Sequence, residues 1–295
     1  MLAESRRMHK DWPRGVDLPS YEPMPLKSKF GQNFLRDSHA VERIVAALGE
    51  LADETVVEIG PGRGAITGAL AAKARHVIAV ELDRDLAATL RSQFPAGQVT
   101  VVEQDVLAFD FAAAAAQAGS KLRVAGNLPY YITSPILRKL AASHSALGTA
   151  VLMVQREVGD RVIASPGSRD YGLLSVLVQA HGPVEPLFTL PPGAFLPPPQ
   201  VHSTVFRWRF APRFKELGVE ETGFLGFVAK AFAQKRKTLA NNLRAAGIVT
   251  AYAHHALALA GIDPKARAES LSIESLAALW RTLSAELAGK KGESS

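Results

Sequence analysis

The sequence predicts an α/β fold, a mainly parallel sheet with helices on both faces, followed by a small all-α domain. Three observations predict it. Short apolar runs alternate with helical patterns from about residue 55 onward, which marks successive strand and helix units closing into one sheet. Two further strand-like runs, Val184 to Leu190 and Val201 to Phe210, follow later in the chain. Around residues 211 to 219 the composition changes, and helical periodicity takes over.

Composition sets the outer bounds. A chain of 295 residues suits one domain of ordinary size plus a smaller one. With 47% hydrophobic residues it supports a sizeable core, yet no run of 18 apolar residues occurs, so no membrane span is indicated. The formal charge of +6 and a pI near 9.6 point to an anionic partner such as nucleic acid. The absence of cysteine excludes disulfides, thiolate catalysis and cysteine-ligated metal clusters. The eight histidines are scattered, and no metal-binding spacing appears. The first residues lack the apolar core of a signal peptide, and a cytoplasmic location is expected.

In chain order, residues 1–26 mix Arg6, Arg7, Lys10 and Arg14 with four prolines and read as a flexible basic tail. Lys27 to Leu35 is rich in functional groups, and stands directly before a helix patterned by Val41, Ile44, Val45 and Leu48. Such a stretch either closes over a ligand or pins the tail to the core through Phe30, Phe34 and Leu35. Thr55 to Ile59 is the first strand of the alternating run, and it enters Gly60-Pro61-Gly62-Arg63-Gly64. His76 to Val80 ends in Glu81-Leu82-Asp83, Val99 to Val102 in Glu103-Gln104-Asp105, and the next strand in Asn127. Open α/β sheets bind ligands outside the carboxyl ends of their strands, so these four ends predict one continuous site.

The glycine loop alone leaves the ligand open. Gly60, Gly62 and Ala65, with Glu81 about twenty residues on, also fit a dinucleotide fingerprint, as in an NAD or flavin enzyme. In either case Gly60 and Gly62 permit close backbone approach, and Glu81 accepts both hydroxyls of a ribose. Glu58 two positions before the first glycine, Asp105, and the Asn127 motif together match an S-adenosylmethionine site better. The expected sheet is therefore Rossmann-like, of the class I S-adenosylmethionine-dependent methyltransferase type.

Asn127-Leu128-Pro129-Tyr130 carries the candidate chemistry. Asn127 offers an amide oxygen and Leu128 a main-chain carbonyl, while Pro129 restricts the backbone so that both acceptors face one way. Tyr130 adds a flat face. Two convergent acceptors beside an aromatic plane suit an exocyclic amino group on a flat ring. Accepting its two N–H hydrogens favours a tetrahedral nitrogen with a free lone pair, and so stabilises the transition state above the ground state. Read without this chemistry, the motif is an ordinary strand end and turn.

Downstream, a fifth strand spans Ala150 to Val154, and the Pro191 to Pro199 loop holds Phe195 close to the inferred site. Phe224, Phe227, Val228, Ala231 and Phe232 mark an amphipathic helix, with Lys235, Arg236 and Lys237 on or near it. Further helical segments lie around 250 to 260 and 272 to 288. The expected organisation is a tail at 1–26, a methyltransferase domain at 27–212, and a helical RNA-binding domain at 213–295 that grips phosphates.

Phe30-Gly31-Gln32-Asn33-Phe34-Leu35, Glu58-Ile59-Gly60-Pro61-Gly62, Val80-Glu81-Leu82-Asp83, Gln104-Asp105 and Asn127-Leu128-Pro129-Tyr130 resemble the ribosomal RNA adenine N6,N6-dimethyltransferase family. Gln155-Arg156-Glu157-Val158, Asp170-Tyr171-Gly172, Phe195 to Val201 and Gln234 to Leu239 extend the resemblance over nearly the whole chain beyond the tail. It is greatest to bacterial members that dimethylate two adjacent adenosines near the 3′ end of small-subunit RNA. The resemblance implies that Asn33, Leu35, Gly60, Gly62 and Asn127 bind the donor, with Glu81 on its ribose and Asp105 on its adenine. It implies that Asn127 and the Leu128 carbonyl hold the target amino group and that Tyr130 stacks on the target base. Phe195 either covers the other face of that base or anchors its loop. Lys235, Arg236 and Lys237 are expected to meet RNA within an immature ribosomal particle, bound by a monomer. Arg63 and Tyr131 depart from the family pattern and are expected to lie clear of these positions. Large-subunit methylation, a non-catalytic assembly role, and an NAD oxidoreductase are the competing readings. The third leaves the Asn127 motif and the basic C-terminal region unexplained.

Overall fold

A computed structural model of the chain describes residues 33–94 and 96–293. The basic tail and Phe30, Gly31 and Gln32 lie outside the described residues. Two compact units emerge, one from residues 33–163 with 181–211, the other from 164–180 with 212–293. The segment 164–180, assigned by sequence to the methyltransferase domain, thus packs with the C-terminal helices.

The larger unit opens with β1 (Phe34–Leu35) and α1 (Ser38–Ala47). It continues through β2 (Thr55–Ile59), α2 (Ala65–Ala71), β3 (His76–Glu81), α3 (Arg84–Gln93), β4 (Val99–Glu103), α4 (Phe111–Ala118) and β5 (Leu122–Asn127). After these come α5 (Thr133–Ala142), β6 (Leu147–Gln155) and α6 (Arg156–Ile163). It closes with β7 (Val184–Leu190), β8 (Phe195–Leu196) and β9 (Ser203–Arg209). Seven strands form one sheet in the order β4-β3-β2-β5-β6-β9-β7. The first five are parallel, and β9 runs antiparallel to both β6 and β7.

Local chemistry accounts for these elements. β2 is buried along its whole length, Glu58 included, as a central parallel strand covered on both faces must be. α1 presents Val41, Ile44 and Val45 to the core, each buried aliphatic side chain contributing about 1.5–3 kcal/mol relative to exposure. Asp37, Asp83 and Asp110 cap α1, α3 and α4 through their side chains, satisfying donors that the first turn leaves unpaired. Pro186 lies in β7, at the edge of the sheet, where its missing N–H is tolerated. β1 and β8 make a separate antiparallel ladder, Phe34 opposite Leu196 and Leu35 opposite Phe195.

In the helical unit, α7 (Leu173–Ala180) is joined by α8 (Phe214–Leu217), α9 (Glu221–Ala231), α10 (Leu239–Ala245), α11 (Thr250–Leu259) and α12 (Ile273–Glu293). Phe227 stacks on Trp280 with centroids 5.4 Å apart, fastening α9 to α12. Arg213 bridges Glu216 and Glu274. The exposed Lys235, Arg236 and Lys237 occupy the turn between α9 and α10 rather than a helix face. Asn242 on α10 fixes that turn from beneath, its Nδ2 donating to Ala231 O at 2.8 Å and Gln234 O at 3.1 Å. Among the described residues no helix is long and apolar enough to cross a membrane.

Candidate active site

The order β4-β3-β2-β5 sets four carboxyl ends side by side. Gly60 and Gly62 adopt φ of 64° and 57°, left-handed conformations that favour glycine. A Cβ on Gly62 would stand 3.0 Å from the Phe34 ring, so the loop and β1 are in close contact. Gly126 serves the same compaction one residue before Asn127: a Cβ there would meet Ile59 O at 2.8 Å. The resulting pocket is lined by the glycine loop, by Asn33, Phe34 and Leu35, and by Glu58, Glu81, Asp105 and Asn127.

The carboxylates divide their work. Glu81 is buried; its Oε2 accepts Gly62 N–H at 3.0 Å and its Oε1 accepts Asp83 N–H at 2.9 Å. Each oxygen keeps a second lone pair for a ligand hydroxyl. Asp105 accepts Leu107 N–H at 2.9 Å, which orders the turn after β4. Glu58 accepts the Thr67 hydroxyl at 2.6 Å beneath the loop. Burial pushes the Glu58 carboxyl up to about 8; the Thr67 hydrogen bond opposes this and the Glu81 charge adds to it. Near neutrality it is therefore mostly protonated.

Asn127 is oriented by the residue just before β1. Its Nδ2 donates to Asn33 O at 3.0 Å, which assigns the amide flip and turns Oδ1 the other way. That Oδ1 is buried and has no hydrogen-bond partner among the described residues, an arrangement that costs about 1–3 kcal/mol and calls for an explanation. Leu128 N–H donates to Met153 O at 2.9 Å, and its side chain is 1% exposed, so only its carbonyl is left for chemistry. Pro129 lines the pocket and takes φ −58°. Tyr130 opens a short 3₁₀ turn, is half-buried, and meets Ser203 Oγ with its phenol oxygen at 3.2 Å.

One open alternative is resolved and two expectations are corrected. Phe195 is 2% exposed and sits in the hydrophobic cluster that also holds Leu35 and Ala194. It anchors its loop to β1 and shows no face to the pocket, because β8 pairing turns the ring inward. Arg63 and Tyr131 do not lie clear of the site: both line the pocket. The Arg63 guanidinium lies 4.6 Å from the Phe34 ring centroid, a cation–π contact that holds the residue between Asn33 and Leu35. Leu82 and Val106 are among the lining residues to which the sequence assigned no role. Leu82 is 47% exposed, and an apolar residue directly after each of Glu81 and Asp105 was the available signal for a flat ring between them.

The donor group suits this arrangement. The glycine cradle, the Glu81 lone pairs and the apolar Leu82 and Val106 fit a ribose with an attached base, while the unpaired Oδ1 fits an amino hydrogen.

The family described as ribosomal RNA adenine dimethylase matches residues 24–284. The chain is 58% identical over 258 residues to "Ribosomal RNA small subunit methyltransferase A" of Acidobacterium capsulatum, covering 87% of this chain and 91% of that protein. It is 49% identical over 269 residues to the protein of the same name from Koribacter versatilis, covering 87% and 94%. Among solved structures, a dimethyladenosine transferase from Plasmodium falciparum superposes with a TM-score of 0.68 at 22% identity, over 83% of this chain and 95% of that one, which shows a common fold.

Proposed function

The chain belongs to the ribosomal RNA adenine dimethylase family, and from that premise we propose that it dimethylates N6 of two adjacent adenosines near the 3′ end of small-subunit ribosomal RNA, using S-adenosylmethionine. The observation that carries the chemistry is the buried, unpaired Oδ1 of Asn127. When bound, S-adenosylmethionine supplies a methyl group already activated by its sulfonium charge. The protein is left with positioning and exclusion of water, and orientation contributes about 7–11 kcal/mol in such reactions.

Asn33, Leu35, Gly60 and Gly62 hold the donor, Glu81 accepts its ribose hydroxyls, and Asp105 receives its adenine amino group. Asn127 Oδ1 and the Leu128 carbonyl accept the two hydrogens of the target amino group, leaving the nitrogen lone pair free. Tyr130 stacks on the target base, offsetting the few kcal/mol that extrusion from an RNA stack requires. No strong general base is needed, because the proton leaves after transfer.

The small-subunit substrate is supported by the 58% identity to a protein named for that activity. Lys235, Arg236 and Lys237 bind phosphates. The protein acts as a monomer in the cytoplasm, on an immature particle during ribosome biogenesis.

The test is transfer of labelled methyl to small subunits carrying unmodified RNA, with product mapping. Two methyl groups on each of two neighbouring adenosines, lost in Asn127→Ala, is the expected result. Incorporation in large-subunit RNA changes the substrate. RNA binding without incorporation leaves an assembly factor.

A further inference from the structure

Tyr130 is the one proposed platform residue whose ring is fastened at its far end. Its backbone is already fixed. Leu128 N–H bonds to Met153 O at 2.9 Å, Ile132 N–H to Pro129 O at 3.2 Å, and Thr133 Oγ1 donates to Pro129 O at 3.0 Å. Backbone order leaves the ring free about χ1 and χ2, and χ2 of an aromatic residue has a broad well. Among the described residues, a constraint on the ring itself is the 3.2 Å contact between the phenol oxygen and Ser203 Oγ.

Ser203 is well built for that task. It is fully buried, at 0% exposure. It opens β9, where it stands opposite Gln155 of β6 on one side and Leu190 of β7 on the other. A strand hydrogen-bonded on both edges cannot shift locally, so the hydroxyl is a fixed point on the sheet. A buried hydroxyl also needs a partner, and Tyr130 provides it.

We propose that Ser203 is a positioning residue for methyl transfer: through the Tyr130 hydroxyl it sets the tilt and depth of the ring against which the target base is placed. The proposal rests on the platform role given to Tyr130. Because a second methylation requires the monomethylated base to return to the same place, the tether acts in both transfers.

The experiment compares Ser203→Ala, Tyr130→Phe, the double variant and Tyr130→Ala, by methyl transfer to small subunits with unmodified RNA. Donor affinity and thermal midpoint are measured alongside. Ser203→Ala and Tyr130→Phe each lower kcat/KM for the RNA by about 5-fold, the usual weight of one hydrogen bond. The double variant is no worse than either single one, since both delete the same contact. Donor affinity stays at the wild-type value and the thermal midpoint falls by only a few degrees, whereas a merely structural role for Ser203 would lower the midpoint and leave kcat/KM for the RNA unchanged. Independent losses that multiply, or an unimpaired Ser203→Ala, overturn the tether. Undiminished transfer by Tyr130→Ala overturns the platform reading itself, and the tether with it, so the two failures are told apart.

Discussion

The two ends of the pocket are finished to different degrees. Where the donor is assigned, the scaffold has already satisfied the polar groups: Glu81 takes one backbone N–H on each oxygen, at 3.0 and 2.9 Å. Where the acceptor base is assigned, Asn127 has its Nδ2 engaged by Asn33 and its Oδ1 buried without a partner. A group that only binds can be completed by its own fold, because a ligand adds to bonds already made. A group that must favour the reacting geometry is held unfinished, its partner arriving with the substrate.

This contrast is exposed to experiment at several strengths. Asn127→Ala removes the unfinished acceptor and lowers the single-turnover transfer rate by about 10²-fold or more, while calorimetric donor affinity stays close to wild type. A matching collapse of donor affinity would merge the two ends. Glu81→Gln attacks the finished end, and donor affinity drops by about 10- to 100-fold, the range for charge-assisted hydrogen bonds, with transfer at saturating donor retained.

Glu58 sharpens the electrostatics of the finished end. Its carboxyl titrates near 4.5 in the unfolded chain and is pushed up to about 8 in the fold. Between those values the folded form holds the extra proton, so the stability it contributes is full below about 4.5 and is lost as pH rises toward 8. Glu58→Gln flattens this decline, gaining on wild type in thermal midpoint from pH 5 to pH 8. Parallel curves would mean that Glu58 is ionised in the folded protein.

The smallest effect comes from outside the pocket. Arg236→Ala leaves both ends untouched and lowers the slope of log affinity for RNA against log salt by about 0.7–0.9, the value of one phosphate contact. A change in donor affinity instead would tie the basic turn to the pocket.

The four strand ends were legible in the sequence because parallel strands converge by rule: Gly60, Glu81, Asp105 and Asn127 needed only their order and spacing. Phe195 was not, since a Pro-rich loop says nothing of which way a ring turns, and two-residue strands such as β1 and β8 have no period to read. Arg63 and Tyr131 were misplaced for a related reason. Arg63 lies within the glycine turn and Tyr131 within the 3₁₀ turn, where side-chain direction depends on backbone geometry that residue types leave open. Leu82 and Val106 looked like ordinary strand-end residues until the neighbouring carboxylates were seen around one pocket. The unpaired oxygen on Asn127 required the partner of its nitrogen, the Asn33 carbonyl just before β1 and distant in sequence.

That distance bears on how the protein is made. β1 takes its strand pairing from β8, a segment that emerges from the ribosome only after most of the sheet has been synthesised. Contacts of such separation close late, after local helices and neighbouring strands. A nascent chain holding everything through β6 therefore carries the Asn127 motif without the ladder that steadies β1 and its grip on the amide. The Asn127 end of the site is therefore steadied only after about two thirds of the chain has been made, when residue 196 can reach residue 34.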